Sequence, residues 1–394
     1  VITDAALYLA RPEDIAAALA PVAGRPLAFR MIMAAIRAGA RRVHVPPAFR
    51  GTPVERAVAS TSTARAAVAW LRTDTPVPAA VLLVPAAGLV PPAALAPLLN
   101  TAPACRLRAS RASDAPIATL TWDLAHPLWP AIANGEALGT TVARACGEIA
   151  VQDLDTGWYV RVAAPRGADA VERLLEGSLG SVVDTWLDRV FHRKLARPVA
   201  RLAIACGITP NPVTIASLLI GLAGVGCFWP GSAALAAVGL ALYAASVVLD
   251  HADGAIARLT FAESPFGEWL DVVVDTVIHS MMVLVMGIAA HRLAGGGAAV
   301  FGVIAAAGFV ASAAVAKTSP PAGGSGLRGL FQALGNRDGF YAMLVFFILG
   351  LAFWPSSLPF LMAVVAVGSH AFWLGGLALR LVGVRRGTVG AESA

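Results

Sequence analysis

Apolar residues run almost unbroken through the second half of this chain and only in short bursts through the first. From residue 212 onward, six apolar stretches stand out, at about 212–230, 234–257, 265–290, 296–316, 339–354 and 358–382. Most approach the ~20 residues a helix needs to cross a bilayer, so the pattern predicts six transmembrane helices. The fifth is short or tilted and ends at Trp354-Pro355-Ser356-Ser357. The first half, to about residue 175, has no apolar run long enough to span. Helical periodicity there alternates with short β-branched runs at Arg41–Val45, Val81–Val84, Ala118–Thr121 and Trp158–Val162. Strands separated by helices predict an α/β sheet.

Between the halves, residues 176–211 carry apolar positions at three-to-four spacing beside Arg189, Arg193, Lys194, Arg197 and Arg201. That pattern suits an amphipathic helix lying on an anionic membrane surface, and equally a linker helix with a solvated face. The expected organisation is therefore an α/β domain over 1–175, a juxtamembrane helix and linker over 176–211, and an all-α membrane domain of six transmembrane helices over 212–386.

Composition agrees. The chain of 394 residues is 57% hydrophobic and 14% charged, with mean hydropathy +0.71, too apolar for an ordinary soluble protein. The net charge is +6, but its placement says more. The junction, Arg258, the Lys317-to-Arg337 loop, Arg380, Arg385 and Arg386 fall on one predicted face, and only Arg292 clearly on the other. The positive-inside rule makes the rich face cytoplasmic and puts both termini there, in a multi-pass inner or cytoplasmic membrane protein. No basic segment followed by an apolar core and cleavage site opens the sequence, so insertion is expected to rely on the internal helices. The four cysteines lack paired or C-x-x-C spacing and read as small apolar residues. His44 and His126 have no partner at metal-binding spacing.

The chemistry concentrates in Asp250-His-Ala-Asp253-Gly254-Ala-Ile-Ala257-Arg258, then eight residues, Gly267, Asp271 and Asp275. Positions 250, 253, 254, 257 and 258 share one helical face, and 267, 271 and 275 share another. Two such helices facing each other would gather four carboxylates into one small volume. Like charges that close require a cation among them, and hard oxygen ligands select magnesium, manganese or calcium. Carboxylates beside lipid-facing segments are expensive, which favours a functional reading over a solvated face. Gly254, Ala257 and Gly267 leave the helix surfaces bare for a bulky ligand.

This arrangement, D-x-x-D-G-x-x-A-R-x8-G-x-x-x-D-x-x-x-D, resembles the signature of the CDP-alcohol phosphotransferases at every fixed position. The resemblance implies six transmembrane helices, two divalent ions (Mg2+ or Mn2+), a CDP-alcohol donor, an alcohol or phospho-alcohol acceptor, and CMP as leaving group. It implies a homodimer in the bilayer and no nucleic-acid partner. Carried over, Asp250, Asp253 and Asp271 are the chief metal ligands and Asp275 is the general base, also touching a metal. Arg258 pairs with donor phosphate. The Thr209-Pro-Asn211-Pro-Val-Thr214 run, similar to one found in the family near the nucleotide, adds Asn211 and Thr214 as donor-binding candidates. Arg337, before the fifth span, resembles an arginine of the inositol-phosphodiester-forming relatives and is a candidate for the acceptor phosphate, with Arg193 and Arg197. His279, one turn beyond Asp275, reads as a partner or a buried spectator.

The first domain resembles the sugar-nucleotidyltransferase fold through Val22-Ala-Gly-Arg-Pro-Leu, Ala38–Val45, the Val81 strand and Gly157–Val162. It lacks that family's functional residues. The opening reads Leu7-Tyr-Leu-Ala-Arg-Pro-Glu in place of a glycine-rich loop, and Pro85-Ala86-Ala87 and Arg161 stand where magnesium-binding aspartates belong. A catalytically inactive domain is expected. The two-domain order resembles the bifunctional inositol-1-phosphate cytidylyltransferase / di-myo-inositol-phosphate-phosphate synthase proteins. That favours phospholipid or inositol-phosphodiester synthesis, with a phosphatidylglycerophosphate or phosphatidylinositol-phosphate synthase using CDP-diacylglycerol as the alternative. An ion-coupled transporter, the reading from another class, predicts inverted repeats and helices broken near midplane, and the sequence shows neither.

Overall fold

The computed structural model describes residues 1–72, 74–101, 103–110, 113–148, 152–155, 157–162, 168–178, 185–316 and 336–391. Most of the Lys317-to-Arg337 loop lies outside them. The chain divides into two compact units, Val1–Leu179 with Leu259–Phe261, and Gly180–Arg258 with Ala262–Ala394.

The first unit is built on a mixed seven-stranded sheet. Its strands are β1 (Asp4–Tyr8), β4 (Arg42–Val45), β5 (Val68–Trp70), β6 (Ala80–Pro85), β8 (Cys105–Leu107), β9 (Ala118–Thr121) and β10 (Gln152–Leu154), in the order β10-β8-β9-β6-β1-β4-β5. β1 pairs in parallel with both β4 and β6, while β9 runs antiparallel to β6 and β8. Three of the expected strands are in this sheet. The fourth, expected over Trp158–Val162, is reduced to β11 (Val160–Arg161), which pairs antiparallel with β7 (Gly88–Leu89) outside it. A hairpin of β2 (Pro21–Val22) and β3 (Arg25–Pro26) precedes helix α1 (Leu27–Ala38).

The central strand β1 was not expected. It is buried on both faces: Ala5 and Leu7 join one cluster with Phe29 and Met31, and Ala6 and Tyr8 join another with Leu83, Leu120 and Trp129. A strand covered on both sides has no polar alternation to betray it. His44 is buried with its Nε2 2.9 Å from Asp4 Oδ1, whereas His126 is exposed.

The second unit is helical. An amphipathic helix, α3 (Arg193–Ala205), precedes α4 (Pro210–Phe228), α5 (Ala233–Thr260), α6 (Pro265–Ala294), α7 (Ala298–Ala316), α8 (Arg337–Phe353) and α9 (Leu358–Ala391); α2 (Pro92–Asn100) belongs to the first unit. Here the six-span expectation needs correction. Among the described residues, five helices are long and apolar enough to cross a membrane. The sixth, α8, has 17 residues, about 25 Å at 1.5 Å per residue, short of a ~30 Å hydrocarbon layer. It also begins with Arg337-Asp338, which trims the apolar part further.

Helix starts and close approaches follow local chemistry. Pro210 and Pro265 occupy first-turn positions whose N–H has no helical partner. Ser264 and Asn336 cap their helices by accepting from Gly267 N and Gly339 N, at 3.0 and 3.1 Å. α6 and α7 approach backbone to backbone, since a Cβ on Gly302 would lie 3.0 Å from Gly287 Cα. Phe228, Tyr243, Met282, Met286, Leu344 and Phe347 fill the bundle interior, while Leu219, Val367 and Phe360 face outward at 63, 71 and 74% exposure. Outward side chains of that kind suit lipid. On α3, Ala196, Ala200 and Ala203 pack against Val213, Val248, Ala252 and Ile256, leaving Leu195 and Leu202 exposed beside the basic residues.

Candidate active site

The last turns of α5 and the first turns of α6 carry the signature residues. Asp250 and Asp253 on α5 meet Asp271 on α6, with one carboxylate oxygen of each lying within 4.8 Å of the others. Asp253 is buried and accepts from Thr214 Oγ1 of α4 at 2.5 Å. The hydroxyl has one proton, and the longer approach to Pro210 O, 3.3 Å, leaves it on the carboxylate. Asp275 sits one turn beyond Asp271 and outside the set of three. Its side chain is 40% exposed, with Oδ2 3.6 Å from Arg337 Nη2.

The bare positions do what their size allows. The Arg258 guanidinium lies over Gly254, where a Cβ would come within 3.2 Å of it. A Cβ on Gly267 would stand 3.2 Å from Ser264 Oγ and 3.5 Å from Asn211 Oδ1, so Asn211 borders the same surface. Asn211 and Thr214 stand on α4, Gly254, Ala257 and Arg258 on α5, and Gly267 on α6.

Arg337 is the surprise. As the first residue of α8 it reaches into the acid cluster, with Nη2 3.0 Å from Asp250 Oδ2. On its other side, Nη1 lies 2.9 Å from His251 Nε2 and 3.4 Å from Asp188 Oδ1. Asp188 and His192 stand on a π-helical turn ahead of α3, the kind of irregularity that often accompanies function. Of the junction residues named from sequence, Arg197 is exposed and Arg193 half-buried; it is Asp188 that reaches Arg337. Burial pushes the Asp188 carboxyl up, but hydrogen bonds from His192 and His251 and the Arg337 charge outweigh it and hold the group below the ordinary carboxylate range.

Asp188, His192, His251 and Tyr341 were all missed from sequence. His251 hides in a variable position of the signature. Asp188 and His192 are an i, i+4 pair inside a segment whose basic residues drew the reading. His279 is engaged at both ring nitrogens: its Nδ1 donates to the Asp275 carbonyl at 2.6 Å and its Nε2 accepts from Tyr243 Oη at 2.9 Å.

Two groups among the described residues have ligand atoms close enough for a cation, Asp250/Asp253/Asp271 and Asp188/His192/His251. The first is all carboxylate and fits a hard divalent ion. The second has a guanidinium 2.9 Å from one of its ring nitrogens, and a cation there would face another cation. Hydrogen bonding describes it better.

Residues 207–374 match the family model described as CDP-alcohol phosphatidyltransferase. No curated protein matches the chain. The CDP-alcohol phosphatidyltransferase match covers every signature residue together with Asn211, Thr214 and Arg337, and begins after Asp188 and His192.

In the first unit, Arg161 places Nη2 2.7 Å from Asp14 Oδ1 and Nε 3.5 Å from Asp114 Oδ1. Asp14 is 1% exposed. Burial pushes its carboxyl up and the Arg161 charge pulls it back, leaving it raised.

Proposed function

We propose that this protein is a membrane-embedded, metal-dependent CDP-alcohol phosphotransferase that moves a phospho-alcohol from a CDP-alcohol to an acceptor hydroxyl and releases CMP. The observation that carries the reading is the meeting of Asp250, Asp253 and Asp271 from two apolar helices inside the region that matches the family. Three carboxylates gathered from two helices form a donor set for magnesium or manganese, with Arg337 Nη2 3.0 Å from Asp250 Oδ2.

Asp250, Asp253 and Asp271 would hold the divalent ions, which supply charge neutralisation at the diphosphate. Arg258, over the bare face at Gly254, presents a planar two-pronged donor to the donor phosphates. Asn211 and Gly267 border the cytidine side, and Thr214 fixes the Asp253 carboxylate. Asp275, beside the three-carboxylate set and open on one side, takes the proton from the acceptor hydroxyl as it attacks the β-phosphorus. Arg337 serves the anionic acceptor; Arg193 and Arg197 lie on the segment that leads to it.

The basic residues favour an inner or cytoplasmic membrane location with the site on the cytoplasmic face. Arg292 supports two distinct ends: its guanidinium stacks 4.0 Å from the Trp229 ring, 21 residues or about 30 Å along α6 from Asp271. For the first unit, the β10-β8-β9-β6-β1-β4-β5 order with one antiparallel strand supports a nucleotidyltransferase-like ancestry. The Arg161–Asp14 pair supports an inactive one, because a guanidinium takes the place a metal would need. The expected product is a phospholipid or inositol phosphodiester.

The test is CMP release by the purified full chain, with magnesium and a panel of CDP-alcohols and acceptors, before and after EDTA. The reading expects release only with magnesium or manganese. Release indifferent to chelation, or none with any CDP-alcohol, overturns it.

A further inference from the structure

We infer that Asp188 is a positioning residue for Arg337: it holds one edge of the guanidinium so that the other edge stays available to a substrate phosphate. The inference rests on the phosphotransferase reading for its substrate and on geometry for the rest.

Two i, i+4 pairs face each other, Asp188 and His192 on the π-helical turn, Arg337 and Tyr341 on α8. Arg337 Nη1 is 3.4 Å from Asp188 Oδ1, His192 Nδ1 is 3.0 Å from the same oxygen, and His192 Nε2 is 2.8 Å from Tyr341 Oη. The His192 and Tyr341 rings stack, with centroids 5.4 Å apart. The ring of contacts closes on itself. Thr185 N donates to Asp188 Oδ2 at 3.1 Å, and Trp186 N donates to Asp338 Oδ2 at 3.1 Å, so neighbouring residues of α8 grip the same segment. His251 Nε2 sits between, 2.9 Å from Arg337 Nη1 and 2.7 Å from Asp188 Oδ1. It accepts from the arginine in one tautomer and donates to the aspartate in the other.

Asp188 is 6% exposed at its side chain and lies outside the three-carboxylate set; its Oδ1 meets Arg337 together with the two histidines that flank it. Without Asp188, Nη1 would be free to turn toward Asp250 and Asp275, the other carboxylates near the guanidinium among the described residues, which Nη2 already meets, and both edges would then compete with a divalent cation. With Asp188, the Nη1 edge is held from behind. Asp250 would hold a cation in place of its contact with Nη2, and the Nη2 N–H groups would then be available to a phosphate oxygen of donor or acceptor.

A double-mutant cycle on the full-length protein in detergent tests this, with Mn2+ affinity read by electron paramagnetic resonance and CMP release read alongside. Asp188→Asn should weaken Mn2+ binding at least about fivefold, and Arg337→Gln should not weaken it; in the Arg337→Gln background, Asp188→Asn should change it less than about twofold. In CMP release, Asp188→Asn should raise KM more than it lowers kcat. The rise in KM for the donor or for a phosphorylated acceptor tells which phosphate Arg337 meets. Additive effects on Mn2+ affinity overturn the proposal. If Asp188→Asn fails to fold, Tyr341→Phe removes one hydroxyl from the same ring; a weakening of about twofold supports the inference and no change overturns it. Wild-type protein that binds Mn2+ but releases no CMP sinks the phosphotransferase reading and leaves the cycle readable.

Discussion

The Thr214 hydroxyl donates to Asp253 Oδ2 across 2.5 Å, joining the second turn of α4 to the last turns of α5. That bond fixes which oxygen of Asp253 faces the other carboxylates. Supports of this kind change metal affinity by ~10–100-fold when removed. Thr214→Val should therefore raise the magnesium concentration needed for half-maximal CMP release by about that factor, and Thr214→Ser should largely preserve it. Equal magnesium requirements in Thr214→Val and wild type would show that the threonine only packs.

Asp275 and Asp250 should fail differently. Asp275→Asn keeps the three-carboxylate set and should lower turnover by ~10²–10⁴-fold while Mn2+ affinity stays near wild type. Asp250→Asn removes a member of the set and should abolish Mn2+-dependent donor binding. Comparing kcat with Mn2+ titrations separates the two, and normal turnover by Asp275→Asn would remove it as the base.

Arg161 and Asp14 give a stability prediction for the first unit. Removing the guanidinium leaves a carboxylate buried without its partner, a loss of ~3–5 kcal/mol for pairs of this kind. Arg161→Ala should lower the urea midpoint of that unit's unfolding, and adding Asp14→Ala should recover part of the loss. No recovery would mean that Arg161 acts through its packed stem.

His44 supplies a pH dependence. Burial lowers its pKa from the ordinary value, against the opposing pull of the Asp4 hydrogen bond, and its Nδ1 has no hydrogen-bond partner among the described residues. The unfolded chain takes up this proton near ~6.5 and the folded unit resists it, so stability falls as pH drops below that value. The melting temperature of wild type should drop more between pH 7.5 and 5.5 than that of His44→Gln. Parallel slopes would refute the assignment.

The sequence exposed the carboxylates because charge amid apolar helices is conspicuous and helical spacing fixes which residues share a face. It also exposed β4, β6 and β9, where β-branched runs are bounded by turns. It hid β1, whose Asp-Ala-Ala-Leu-Tyr has neither alternation nor turn signals because both faces are covered. It misjudged α8, where apolar content suggested a span and length denied it. Arg337 was noticed, but its partners could not be: Asp188 lies 149 residues away, on a turn whose π geometry no local propensity announces. Distant pairings of that sort depend on how helices pack, and periodicity carries no information about that.

Both nitrogens of His279 are already engaged, one by the Asp275 carbonyl and one by Tyr243. These two bonds clamp the ring between α5 and α6, so the backbone that carries Asp275 is braced against the neighbouring helix one turn beyond the carboxylates.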